Sequence, residues 1–301
     1  MENDKKNIAL VLSGGGARGM AHIGVIEALE NNGYTITSVA GSSIGSLIGG
    51  IYLSGKLPEF EEWVMGISKF DIIRLMDFAV SKNGFIKGEK VFRELKRFIS
   101  DRNIEDLDRP YAAIAVDLKN HREVIFTKGK LVKAIRASVS IPTVLRPARY
   151  HDIDLVDGGV LNPLPLNSVH RSGSDLLVGV DLNADISYDF KVNKQMEEEM
   201  EEQTTYEKAI EFINKKWSKY FRNDKHKTIG YFDLITHSIY TMQMKLTQLA
   251  IEKYKPDVVV EISKKSCDIF EFHRAAELRA YGREQTLKAL EKINMVASPA
   301  H

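Results

Sequence analysis

Short apolar runs alternate with helical patterns over the first 55 residues of the chain. The run "NIALVL" is apolar almost throughout, as in a strand buried on both faces, and glycines follow it. The segment "MAHIGVIEALENNG" has apolar residues at helical spacing and a glycine stop. A second strand pattern, "TSVAG", leads into a second helix pattern, "SSIGSLIGGIYLSG". This order predicts a mainly parallel sheet flanked by helices, an α/β fold.

The rest of the chain contains two segments without strand patterns. Residues 58–108 are charged and helical in pattern, and we interpret them as a helical cap or flank. Strand patterns return in "YAAIAVDL", "REVIFT", "IDLVDGG" and "DLLVGVDL", with the helix pattern "KLVKAIRASVSIP" among them. Residues 185–230 predict a variable helical excursion. A helix near 234–253, the strand "PDVVVEI" and a helix from about 275 to 293 follow. With no internal repeat or low-complexity linker, we expect residues 1–301 to form a single domain with insertions.

Composition excludes several classes of protein. The chain has 42 Lys and Arg against 41 Asp and Glu, a net charge of +1, so nucleic-acid binding is not expected. A lone cysteine, Cys267, excludes a disulfide framework or a cysteine-rich zinc site. The start lacks the apolar core of a signal peptide, and no run approaches the roughly 20 apolar residues of a membrane span. We expect a cytoplasmic protein, with any membrane contact peripheral and at the inner membrane face.

The first glycine loop fits two functions. Gly14, Gly16 and Gly19 match G-x-G-x-x-G between a strand and a helix, as in dinucleotide-binding proteins. That function requires an acidic residue roughly 20 residues later, at the end of the second strand, to bind the ribose. The chain has no acidic residue between Glu30 and Glu59, which argues against a dinucleotide.

A G-x-S-x-G pentapeptide stands where the ribose-binding acid would be. Gly41 and Gly45 flank Ser43 between a strand and a helix, and small residues there allow a sharp turn that exposes the serine hydroxyl. Ser43 is therefore a candidate nucleophile, the alternative being a structural helix cap.

If Ser43 is a nucleophile, the glycine loop has a predicted role in binding an oxyanion. Attack on an ester creates an oxyanion, and the amides of Gly14, Gly15 and Gly16 can face it without side chains in the way. Arg18 has three interpretations: it steadies the loop, meets an anionic head group or forms a salt bridge from the helix start.

Serine also needs a group that accepts its proton. None of the eight histidines stands in a distinctive turn motif, and His22 on the first helix fits a packing role. Asp157 ends an apolar run ahead of Gly158 and a further glycine, and in a parallel sheet it would emerge at the same rim as Ser43. Aspartate is a poor base near its usual pKa of about 3.9, so burial would have to raise that pKa. The alternative is a simple turn residue.

The motifs "SGGGARG", "GSSIG" and "DGG", in this order, resemble those of the patatin-like phospholipases, particularly the bacterial members and the catalytic domain of the neuropathy target esterase group. The resemblance implies a three-layer α/β/α fold and no metal or organic cofactor. It implies Ser43 as nucleophile, Asp157 as base and the Gly14 to Gly16 amides as oxyanion hole. Supporting positions are Arg18, Gly41, Gly45 and Gly158.

The same resemblance implies a serine lipid acyl hydrolase of the phospholipase A, lysophospholipase or carboxylesterase type. Its substrate would be a lipid or another acyl ester, and no oligomeric state is predicted. The alternative is a catalytically silent protein of the same fold that binds lipid or a protein partner.

Two further segments bear on the substrate. Ile141, Val144 and Leu145 would line an acyl channel or form a buried helix end, and Arg146 and Arg149 would contact a phosphate or lie in an exposed loop. The amphipathic segment "YEKAIEFINKKWSKYF" predicts a lid, a membrane contact or a helix packed on the core.

Overall fold

A computed structural model describes residues 6–75, 88–99, 101–142, 144–190 and 231–297 of the chain. The strands are β1 (Lys6–Leu12), β2 (Tyr34–Ser42), β3 (Tyr111–Asp117), β4 (Arg122–Phe126), β5 (Ala148–Tyr150), β6 (Ile153–Asp157), β7 (Leu176–Ala184) and β8 (Val258–Ser263). The α-helices are α1 (Ala21–Asn31), α2 (Ile44–Leu53), α3 (Leu57–Met65), α4 (Lys69–Leu75), α5 (Glu89–Leu95), α6 (Leu131–Ser138), α7 (Tyr231–Tyr254) and α8 (Ala275–Ala297). Short 3-10 helices cover Gly16–Met20, Ile104–Asp106, Gly158–Val160 and Phe272–Arg274.

The strands form one mixed sheet in the order β5-β6-β3-β2-β1-β7-β8, with β4 paired to β3 outside this path. Neighbours from β3 to β8 in this order run parallel. β4 and β6 run antiparallel to β3, and β5 runs antiparallel to β6. The expected mainly parallel α/β sheet is therefore confirmed, and the antiparallel part lies at one edge. The three-residue strand β5 was not predicted from the sequence.

Helices cover both faces of this sheet. Ala9 and Val11 of β1 belong to an apolar cluster against which Ile251 of α7 packs. On the opposite face Leu12 contacts α2, where a Cβ added to Gly49 would lie 3.6 Å from Leu12 Cδ1. Because β1 is buried on both sides, its sequence is a continuous apolar run rather than an alternating one. The result is the expected α/β/α arrangement.

The predicted helical segment 58–108 contains α3, α4 and α5, and residues 76–87 lie outside the described residues. Arg279 of α8 ties α3 to the body of the fold. Its guanidinium forms ion pairs with Glu27 of α1 at 2.9 Å and with Glu61 of α3 at 2.8 Å. The helix α3, the second of the helices between β2 and β3, is thereby linked to α1 and α8.

Contacts divide the chain into two compact units, Met1–Tyr188 with Met242–His301, and Asp189–Thr241. The first unit contains all eight strands. Of the second, the structure describes Asp189, Phe190 and the beginning of α7 as far as Thr241. Most of the predicted excursion at 185–230, including the amphipathic segment 206–221, lies outside the described residues. A single domain with insertions therefore stays a prediction.

Candidate active site

Ser43 lies in the tight turn between β2 and α2. Its backbone has φ 53° and ψ −127°, a left-handed conformation that costs a residue with a side chain about 1–3 kcal/mol. Gly41 and Gly45 permit the close approaches that this turn requires. A Cβ on Gly41 would lie 2.4 Å from the backbone of Gly45, and one on Gly45 would lie 2.1 Å from the carbonyl oxygen of Leu12. The turn therefore packs closely against the end of β1.

Asp157 reaches Ser43 through their common neighbour, β3. Ser42 is paired with Ile114 of β3, and Asp157 is paired with the next residue, Ala115. The expectation that Asp157 would emerge at a shared rim of parallel strands is wrong, because β6 is antiparallel to β3. The adjacent positions on β3 bring the serine turn and the aspartate together instead. The Ser43 hydroxyl donates a hydrogen bond to Asp157 Oδ2 at 2.5 Å.

The carboxyl group of Asp157 is almost completely buried, with 4% of the residue exposed. Burial raises its pKa from the usual value near 3.8 to about 7, against the opposing effect of the hydrogen bonds from Ser43 Oγ and the Gly159 amide. The Gly159 amide donates to Oδ1 at 2.8 Å, which leaves Oδ2 for Ser43. An acid with a pKa near neutrality is suited to take a proton and return it.

Two serines, Ser138 at the end of α6 and Ser140 just after it, hold the backbone of this pair, and sequence reasoning did not single them out. The Ser43 amide donates to Ser138 Oγ at 3.0 Å. The Asp157 amide donates to the carbonyl oxygen of Ser140 at 2.9 Å. Both serines lie in "RASVSIP", but only the fold brings that segment between the serine turn and β6.

The glycine loop lies directly beside Ser43. A Cβ on Gly14 would lie 3.1 Å from Ser43 Cβ. The expected role of the Gly14 amide needs correction, because this amide donates to the carbonyl oxygen of Pro163 at 3.1 Å. The amides of Gly15 and Gly16 donate to no backbone oxygen in the part of the chain that the structure describes. Two of the three expected amides thus remain as candidate donors.

Arg18 points into the protein. Its guanidinium donates to the carbonyl oxygen of Cys267 at 3.0 Å and to Asn183 Oδ1 at 2.9 Å, and the residue is buried. Among the three interpretations of Arg18, these contacts favour a role in steadying the loop. An anionic head group outside the protein would not reach a side chain held in this way.

His22 is also internal. Burial lowers its pKa to about 4, so the ring is neutral at pH 7. Its Nε2 lies 3.0 Å from the carbonyl oxygen of Ser13, and since a carbonyl only accepts, Nε2 carries the proton in this contact. The ring therefore supports the residue that precedes the glycine loop, in keeping with the predicted packing role.

A cavity of about 180 Å³ with almost entirely apolar walls has Ser43 among its lining residues. The segment between α6 and β5 supplies Ile141, Val144 and Leu145, the three residues named as possible lining of an acyl channel. The helices α3 and α5 also contribute to the walls. Their lining residues are Phe60, Trp63 and Val64 of α3, and Val91, Phe92 and Leu95 of α5. The cavity has the chemistry of a site for a hydrocarbon chain.

The two arginines considered as phosphate ligands lie on the surface. Arg146 is exposed, and Arg149 is exposed and lies 3.8 Å from Asp152 in a surface ion pair. Neither arginine is among the residues that line the cavity. The exposed basic loop is the interpretation that these positions favour.

Within the described ranges, no three His, Cys, Asp or Glu side chains lie close enough together to hold a metal ion. Among the helices of these ranges, none combines the length and the apolar character needed to cross a membrane.

Comparison with known proteins gives matches over this site and beyond it. The family model described as "Patatin-like phospholipase" matches residues 10–170. An uncharacterised NTE family protein of Mycobacterium tuberculosis is 32% identical over 335 residues, which cover 96% of this chain and 92% of that protein.

Two longer relatives match somewhat more than half of the chain. "Lysophospholipase NTE1" of Yarrowia lipolytica is 32% identical over 185 residues, 59% of this chain and 13% of that protein. "Patatin-like phospholipase domain-containing protein 6" of Homo sapiens is 32% identical over 186 residues, with coverages of 59% and 13%.

Proposed function

This chain belongs to the patatin-like phospholipase family, and on that premise we propose that it is a serine lipid acyl hydrolase with Ser43 as nucleophile and Asp157 as base. The observation that carries the proposal is the 2.5 Å hydrogen bond to a buried carboxyl group from the hydroxyl of Ser43, a residue that lines an apolar cavity. An active site is expected to combine a strained serine, a partner with a shifted pKa and an adjacent cavity.

The acylation step uses both side chains of the pair. Ser43 Oγ forms a bond to the acyl carbonyl carbon while its proton passes to Asp157 Oδ2. The carbonyl oxygen becomes an oxyanion. When the tetrahedral intermediate collapses, the bond to the leaving oxygen breaks and that oxygen takes the proton from Asp157. The products are an alcohol and an acyl ester on Ser43.

The amides of Gly15 and Gly16 are the proposed oxyanion donors. They stand in the loop that packs on Ser43, and the amide of Gly14 is already bound to Pro163. The oxyanion also forms near the N-terminus of α2, whose dipole favours negative charge. Loss of one such donor typically lowers the rate by about 10² to 10³.

Deacylation runs through the same pair. Asp157, ionised again, takes a proton from a water molecule as the water oxygen attacks the acyl carbon. The returning proton restores the Ser43 hydroxyl, and the free fatty acid leaves. No further group is needed for the atoms and charges to balance.

A lysophospholipid is the first substrate class to test. The apolar cavity can surround one hydrocarbon chain and exclude water from it. The names of two related proteins include lysophospholipase or phospholipase, and they are the reason for proposing a glycerophospholipid. Phospholipids with two chains and simple carboxylic esters complete the panel.

The test is the release of free palmitate from palmitoyl lysophosphatidylcholine. We expect Ser43→Ala and Asp157→Asn to lower the rate at least about 10³-fold, because each removes one half of the pair. The matched controls are Ser42→Ala and Asp154→Asn. Ser42 is the buried neighbour whose hydroxyl has no hydrogen-bond partner in the described residues, and Asp154 is exposed on the same strand as Asp157. Both controls should keep activity within about threefold.

Full activity in folded Ser43→Ala would contradict the proposal. A folded wild type that binds these lipids but releases no acid from any member of the panel would favour the alternative of a catalytically silent lipid-binding protein.

A further inference from the structure

Asn183 lies on the far side of the glycine loop from Ser43. In the sheet, β1 has β2 as one neighbour and β7 as the other, so the loop after β1 lies between the ends of these two strands. Ser43 follows β2, and Asn183 is near the end of β7. Its side-chain amide donates a hydrogen bond to the carbonyl oxygen of Gly14 at 2.8 Å. Asn183 therefore holds the loop from the side that faces away from the nucleophile.

This hydrogen bond sets the direction of the next amide. The peptide between Gly14 and Gly15 is trans, so the C=O of Gly14 and the N–H of Gly15 point in opposite directions. Because Asn183 holds the carbonyl on the β7 side, the Gly15 N–H is directed to the β2 side, where Ser43 lies. The Gly15 amide is one of the two donors proposed for the oxyanion.

Arg18 fixes which end of the Asn183 amide faces the loop. The Arg18 guanidinium donates to Asn183 Oδ1 at 2.9 Å, and a guanidinium can only donate. The NH₂ group must therefore face Gly14. Asn183 is 4% exposed, and its own backbone N–H donates to Asp181 Oδ1 at 2.9 Å. Side chain and backbone of Asn183 are both restrained.

We propose that Asn183 is a positioning residue for the reaction, which aims the Gly15 N–H at the oxyanion by holding the Gly14 carbonyl. The inference rests on the proposed hydrolase function and adds a residue outside the three sequence motifs. Because the oxyanion exists only in the transition state and the intermediate, the contribution of Asn183 belongs to kcat and not to KM.

The decisive variant is Asn183→Asp. The introduced carboxylate keeps the shape of the side chain and still accepts from Arg18, but it faces the Gly14 carbonyl with an acceptor instead of a donor. Asn183→Ala is the second variant, which removes the donor without adding charge. The matched control is Asn32→Asp at the end of α1, where the amide donates to the carbonyl oxygen of Ala28 at 2.7 Å. Thermal unfolding by circular dichroism identifies the variants that fold.

The measurement is steady-state kinetics with p-nitrophenyl octanoate. We expect kcat to fall about 10²-fold in Asn183→Asp and at least about tenfold in Asn183→Ala, with KM within about threefold and Asn32→Asp at the wild-type rate. A folded Asn183→Ala or Asn183→Asp with wild-type kcat overturns the inference, and so does a loss expressed in KM alone. Failure of the proposed function is distinguishable, since the wild type itself would then not hydrolyse the ester and Ser43→Ala would match it.

Discussion

The proposed proton acceptor for Ser43 is Asp157, whose surroundings alter its acidity. An exposed aspartate has a pKa near 4 and would hold a serine proton poorly at pH 7. Burial against β3 and the loop after α6 raises the pKa of Asp157 to about 7. The hydrogen bond from Ser43 then joins a weak nucleophile to a stronger base than an exposed aspartate would be. In the proposed mechanism, a desolvated carboxyl group has the role that histidine has in a serine triad.

This raised pKa predicts the pH dependence of the reaction. Asp157 acts as a base only when ionised, so kcat/KM for p-nitrophenyl octanoate should rise about tenfold per pH unit below pH 7 and level off above it. Asp181 is the control, since burial raises its pKa to about 6 and Asn183 also donates to it. Asp181→Asn should keep the inflection near pH 7. A flat profile between pH 5 and pH 9 would refute the assignment of Asp157.

At the scale of secondary-structure elements, the turn between β2 and α2 is shaped by the end of β1. The two glycines of "GSSIG" are needed because backbone atoms approach them, and only a residue without a Cβ fits there. We expect Gly45→Ala to lower the free energy of unfolding by about 2 kcal/mol or more, since its Cβ would lie 2.1 Å from a carbonyl oxygen. Urea unfolding of the purified variant measures this change.

The control for that substitution is Gly66→Ala after α3. Gly66 has φ −84°, and a Cβ there would meet its nearest neighbours at 3.7 Å, an ordinary contact distance. Its unfolding free energy should change by less than about 0.5 kcal/mol. Equal stabilities of the two variants would show that the close approach at Gly45 does not exist.

Helices between β2 and β3 supply many of the residues that line the cavity. If the acyl chain binds in this cavity, substitutions in these helices should change which chain lengths are preferred. Val91 of α5 lines the cavity and is half-buried. We expect Val91→Trp to fill part of this space, so that the ratio of p-nitrophenyl palmitate to p-nitrophenyl butyrate hydrolysis falls at least about tenfold. Ile125→Trp, on the exposed side of β4, should leave the ratio unchanged. An unchanged ratio in Val91→Trp would mean that the acyl chain binds elsewhere.

Secondary-structure elements could be predicted where the local sequence pattern determines them, and not where pairing between distant strands does. The apolar run of β1, the glycine loop and the "GSSIG" turn are each a continuous stretch of sequence. Their order and the candidate nucleophile can therefore be predicted from the sequence. The antiparallel direction of β6 does not, because it depends on pairing between Asp157 and Ala115 across the sheet. Asn183 could not be found either: it bonds to Gly14, 169 positions away, and stands in an ordinary strand pattern.

The near balance of positive and negative charge affects how strongly the protein would be attracted to a charged membrane surface. A net charge of +1 gives little attraction to an anionic surface, so we propose that peripheral membrane contact is apolar. Binding in vesicle flotation should then be about equal for neutral and anionic vesicles and insensitive to salt. Phe70 on α4 is 61% exposed, and Phe70→Ser should weaken binding at least about fivefold.

The matched variant for the flotation assay is Leu118→Ser, which changes a 49% exposed apolar residue after β3. We expect it to bind like the wild type. Binding to anionic vesicles alone, or to neither kind, would contradict apolar contact.

If the proposed pair is correct, the fold activates a single serine hydroxyl, that of Ser43. Covalent labelling by a fluorophosphonate, followed by peptide mapping, tests it most directly, because the probe reacts with activated serine hydroxyls. We predict a single adduct on Ser43 and none on the adjacent Ser42, with labelling abolished in Ser43→Ala, reduced at least about 10²-fold in Asp157→Asn and retained in Ser42→Ala. An unlabelled folded wild type, or an adduct that persists in Ser43→Ala, would contradict the assignment of Ser43 as the activated nucleophile.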